Sequence, residues 1–176
     1  MSENAIGYWL VIDTVRIPDA MEVVNQHFTV QYASPLFAGS EFSHLLELSP
    51  LLIHIGHDAS VRERWPFLVR GHFSSSAVLC HVPESVSPNQ LLTHWHSILQ
   101  VTLNHQRYFI RPYSPMFWRN HAAQLNQDDQ SILLGPIRAL EWVNAQQQVQ
   151  SVLNPALEVK QTSPYTLTSP VFNEVS

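Results

Sequence analysis

Ten histidines are spread over 176 residues, and their spacing decides which metal or acid–base chemistry is open to the chain. His54-Ile55-Gly56-His57-Asp58 sets two imidazoles and a carboxylate at the end of an apolar run, where ligands of a divalent metal could converge. That spacing matches no arrangement with a specific mechanism, such as two histidines on one helical face with a glutamate between them. His94 and His96 stand two apart on an expected helix, so their side chains diverge by about 200°. His27, His44, His72, His81, His105 and His121 are scattered. Nucleophilic chemistry fares no better. No Gly-x-Ser-x-Gly elbow exposes a serine, and five glycines in the whole chain leave no phosphate-cradling loop. Asp128-Asp129, in a polar segment, is expected to be a solvated pair flanking a helix. Cys80, inside Ala77-Val78-Leu79-Cys80, is expected to be a buried hydrophobe rather than a nucleophile, which needs an electropositive, partly exposed setting. No catalytic set, metal ligand or cofactor site is expected.

Binding is the better-supplied chemistry. Trp9, Trp65, Trp95, Trp118 and Trp142 lie along expected elements and belong mostly in a core. Trp65 and Trp118, beside Arg64 and Arg119, are the candidates to face a partner, because aromatics and arginine anchor interfaces. Phe109-Ile110-Arg111-Pro112-Tyr113-Ser114-Pro115 runs a strand end into an arginine, an aromatic and a proline turn. Arg111 can pair with a partner's acidic group or brace its own turn. The candidate partner-binding residues are thus Arg111, Tyr113, Trp118, Arg119 and Trp65.

The elements that must position these residues follow from periodicity. Strands are expected over 6–13, 51–55, 76–82, 137–143 and 149–152, with a hairpin of 101–103 and 108–111 around Asn104-His105-Gln106. Helices are expected from Pro18 to Phe28, over 41–48, over 60–65 with Pro66 as the stop, from Ser87-Pro88 to Leu99, and from Ser114-Pro115 to Leu125. The class is α/β (α+β), a single domain with a mixed β-sheet flanked by helices. That domain occupies residues 1–153. Residues 154–176, rich in Pro, Ser and Thr, are expected to form an extended or disordered tail.

Composition narrows the partners. Hydrophobic residues make up 45% of the chain and charged residues 13%, the latter about half the usual share. A weakly charged surface suits burial against another protein. A net charge of -5 and a pI near 6.0 supply no footprint for nucleic acid and no basic stripe for an anionic membrane. The single cysteine and a short, acidic-flanked apolar run near Met1 point to the cytoplasm.

Taken in order, five segments resemble the domain of type VI secretion effector adaptors, the Tap or TEC chaperones. They are Leu10-Val11-Ile12-Asp13, Pro35-Leu36-Phe37-Ala38-Gly39-Ser40, Ser49-Pro50-Leu51-Leu52-Ile53, Phe109 to Pro115, and Leu134-Gly135-Pro136-Ile137 with Trp142. The resemblance covers roughly Ile6 to Val143. The chain departs from the family pattern at Ser114, where an aspartate is usual, and in spacing around Arg111. Many relatives also carry a further C-terminal lobe. The resemblance implies a bacterial, cytoplasmic, non-catalytic adaptor that binds a secreted toxin effector and delivers it to the VgrG spike protein. The alternatives are a small metal-dependent hydrolase using His54, His57 and Asp58, or a regulatory binding module.

Overall fold

A computed structural model describes residues 5–68 and 73–174. His72 and the two ends of the chain fall outside the described residues. The centre is strand β1, Ile6–Ile12, whose side chains alternate between two cores. Trp9 and Val11 enter one, and Tyr8, Leu10 and Ile12 enter the other. Burial on both faces is why the segment is a continuous apolar run instead of an alternating one.

Around β1 the chain lays down α1 (Ala20–His27), β2 (Tyr32–Pro35), a 3-10 helix (Ser43–Leu48), β3 (Leu51–His54), α2 (Val61–Leu68) and β4 (Ala77–Pro83). Then come α3 (Pro88–Ile98), the hairpin β5 (Gln100–Leu103) and β6 (Gln106–Phe109), α4 (Pro115–His121), α5 (Gln127–Leu134), β7 (Ala139–Val143) and β8 (Val149–Leu153). Six strands form one sheet in the order β2-β3-β1-β4-β7-β8. The α+β class is as expected, but the sheet is antiparallel at every pairing rather than mixed. Its helices serve as separate covers over the two faces: α1 and α2 on one, and α3, α4, α5 and the hairpin on the other.

Local chemistry explains the boundaries. Ser87 caps α3 reciprocally with Gln90, and Pro88 opens its first turn. Asn104 and His105 both take positive φ (50° and 69°), the geometry of a tight hairpin turn. Pro66 does not stop α2 but lies within it. The helix is only eight residues long, and Trp65 anchors it through its Nε1, which donates to Glu141 Oε1 at 3.2 Å. Glu141 is a buried carboxylate on β7 that also accepts from Arg62 Nε at 2.9 Å and bonds His81 Nε2. Three partners satisfy a charge that would be costly if left bare.

Two further departures concern the C-terminal third. Helix α5 occupies a polar stretch where periodicity gave no helix, and Asp129 within it is fully buried, not solvated. Its carboxylate accepts from the backbone N–H of Thr168 at 3.0 Å and of Ser169 at 2.8 Å, and from the Ser169 hydroxyl. The segment after β8 returns along this anchor. Thr102 N donates to Tyr165 O, Leu167 N donates to Thr102 O, and Leu167 and Phe172 are buried in the core beneath α4 and α5.

Candidate functional site

Four of the sequence segments singled out above meet around one groove of about 690 Å³. Each segment is held by chemistry visible in its own residues. At the end of β1, Asp13 Oδ1 accepts from Val15 N at 2.9 Å and Arg16 N at 3.3 Å, a local turn that presents both side chains outward. In the Pro35–Ser40 turn, Gly39 takes φ +75°, a backbone conformation that strains any other residue. The Ser40 hydroxyl donates to Phe37 O at 2.7 Å and accepts from Phe42 N at 3.0 Å. Buried Ser49 links this turn to β3: its hydroxyl accepts from Phe37 N at 2.9 Å and donates to Pro50 O at 2.8 Å.

The Phe109–Pro115 segment closes the groove. After β6, Ser114 N donates to Arg111 O, and the Ser114 hydroxyl then caps α4 by accepting from Met116 N. Aromatic rings bind the segments together. Phe37 lies 6.4 Å from both Phe109 and Tyr113, and Phe42 lies 5.0 Å from Phe109. The groove walls are Val15, Leu45, Leu48, Phe109 and Met116, all exposed, with Leu48 at 56% and Val15 at 55%. Arg16 and Arg111 stand among them.

The five residues expected to meet a partner divide. Arg111 and Tyr113 line the groove. The Arg111 guanidinium is exposed and makes no hydrogen bond or ion pair among the described residues. Burial raises the Tyr113 phenol above its ordinary value, with Asp13 adding to the shift and Arg111 opposing it, so the hydroxyl stays a donor. Trp118 is buried under the turn and donates its Nε1 to Pro112 O at 2.7 Å, so it positions the turn and offers no face to a partner. Arg119 stands behind Met116; its Nε donates to Val143 O at 2.7 Å, and its Nη1 is 3.7 Å from Met116 Sδ. Trp65 is wholly buried on the opposite side of the sheet. Aromatic type and a neighbouring arginine do not reveal burial, which is why both tryptophans were singled out.

Sequence reasoning missed Val15, Arg16, Leu45, Leu48 and Met116. The run from Phe42 to Leu48 has helical spacing that suggests a buried face. It forms instead a kinked 3-10 helix with no buried residue. No local signal in the sequence separates these leucines from those of a core helix.

The histidine site assembles differently from expectation. His54 and His57 rings are 4.9 Å apart, but the carboxylate beside them is Glu84, 2.9 Å from His57 Nδ1. Asp58 is turned to α2, where it accepts from Ser60 N. The trio His54, His57 and Asp58 therefore does not form, and no group of three or more His, Cys, Asp and Glu among the described residues could hold a metal. Burial, with the His57 charge, lowers His54 to about 4. His94 and His96 do diverge, to Leu133 O and Leu36 O respectively. Burial pushes the Cys80 thiol up, consistent with an inert side chain.

No helix of the described residues is long and apolar enough to cross a membrane. No curated protein and no solved structure matches the chain. The family model of a domain of unknown function, DUF4123, matches residues 8–131. That span contains every residue lining the groove, from Asp13 to Asn120. The chain therefore belongs to the DUF4123 family, a domain associated with type VI secretion effectors.

Proposed function

We propose that this protein is a non-catalytic adaptor. It holds a toxic effector, through a segment near the effector's N-terminus, and brings it to the VgrG spike of a type VI secretion system. One observation carries the reading: four of the segments that carry the resemblance to effector adaptors converge on a groove in which five exposed apolar side chains gather. A reaction centre gathers ionisable groups of matched pKa around a cleft. This groove gathers Val15, Leu45, Leu48, Phe109 and Met116 with an uncommitted guanidinium, the composition of a contact surface. The test is co-expression of the full chain with the effector and spike proteins encoded beside it, followed by affinity capture. The expected result is a ternary complex that needs the effector's N-terminal segment. A monodisperse protein that captures neither partner overturns the reading.

A further inference from the structure

Resting on the adaptor reading, we propose that the groove selects one chemical class of client. That client is a short effector segment setting two or more large apolar side chains beside a carboxylate. The apolar half of the argument is clustering. Eleven large hydrophobic side chains are exposed among the described residues, and five of them (Val15, Leu45, Leu48, Phe109 and Met116) line this one groove. Singly exposed apolar residues are ordinary, whereas a contiguous set around a concavity marks a binding surface.

The polar half is charge. The chain carries a net charge of -5, yet the groove holds Arg16 and Arg111, and Arg119 stands close enough to Arg16 to feel its charge. Asp13 is the acidic residue of the lining, and its Oδ1 is already occupied by the N–H groups of Val15 and Arg16. Arg119 is committed to Val143 O, and Arg16 Nη1 donates to Ser75 O at 3.1 Å. Arg111 alone of the three brings a guanidinium without a hydrogen-bond partner among the described residues. The Tyr113 hydroxyl, also without one, adds a neutral donor. A planar fork beside a hydroxyl fits a carboxylate. A dianionic phosphate would lose more hydration against these apolar walls. A lysine-bearing segment would meet like charge on the rim.

The probes are labelled peptides of matched length: one of Leu and Asp, one of Leu and Lys, one of Ser and Asp. Fluorescence anisotropy on the full chain should rank Leu/Asp tightest by about tenfold over each of the others. Arg111→Glu should reverse the order of Leu/Asp and Leu/Lys, and joint Leu45→Ser and Leu48→Ser should weaken both leucine peptides. All three positions are exposed, and circular dichroism melts check that each variant folds. Equal binding of Leu/Asp and Leu/Lys, or an order unchanged by Arg111→Glu, overturns the proposal. So does a concentration-dependent dimer in sedimentation that Arg111→Glu dissolves, since the occupant is then a second copy. Effector capture separates the two readings. Capture undiminished by these variants keeps the adaptor and sinks the groove. Peptide selectivity without any effector capture supports the groove chemistry and sinks the adaptor.

Discussion

At the scale of single residues, the family-like motifs turn out to be joints rather than reactive groups. Ser49 is the plainest case, a buried hydroxyl that holds Phe37 N and Pro50 O together beside the groove. Ser49→Ala leaves a buried N–H unpaired and should cost about 1–3 kcal/mol. A urea midpoint unchanged from the parent would show that water replaces the hydroxyl. Gly135, in the Gly-Pro turn after α5, takes φ +53°, and a Cβ there would stand 2.2 Å from His94 Nδ1. Gly135→Ala therefore meets both a backbone penalty and the ring of a half-buried histidine. Its expected cost is roughly 2 kcal/mol, read as a drop in melting temperature. The sequence presents Ser-Pro and Gly-Pro as punctuation, but their partners lie 12 and 41 residues away in the chain.

At the scale of elements, two tethers stand out. Glu141 on β7 ties α2 to the sheet through Arg62 and Trp65 and bonds His81 on β4. Asp129 on α5 ties down the returning C-terminal segment through Thr168 and Ser169. Asp129→Ala removes the acceptor for two backbone N–H groups and should release that segment. The expected result is rapid cleavage between residues 155 and 174 under limited proteolysis, with the sheet domain left intact. Cleavage at the parent rate would mean that Leu167 and Phe172 hold the segment by packing alone. Composition could not reveal this strap, because its proline-rich, aperiodic sequence is anchored by partners on other elements: the Asp129 carboxylate, the Thr102 backbone and the core that takes Leu167 and Phe172.

At the scale of the whole molecule, acid should act against the fold through several groups in the same direction. Burial lowers His54 and His94 to about 4, so between their ordinary value of 6.5 and about 4 the unfolded chain binds more protons than the folded one. Stability then falls as pH falls through that window. Burial alone would raise Glu141, but His81, Trp65 and Arg62 outweigh it and hold the carboxyl low, so its contribution is lost further down as it protonates. Denaturant midpoints should be highest near neutrality and decline steadily from about pH 6.5 to 4. A flat profile over that range would mean that these half-buried imidazoles gain water on protonation without unfolding. By itself the sequence determined every strand but β2, four of the five α-helices, the predominantly buried tryptophans and the order of segments that resembles its family. Periodicity, caps and turn residues act within a few positions of one another, and a linear reading captures them. Tertiary structure alone decided the antiparallel pairing, the burial of Trp65, Trp118 and Asp129, and the replacement of Asp58 by Glu84 beside the histidines. It also decided that Val15, Leu45, Leu48, Phe109 and Met116 share one groove. Exposure is a property of contacts between distant segments: Leu45 and Leu48 carry the same local pattern as a core helix, and they stay exposed because no element among the described residues covers them.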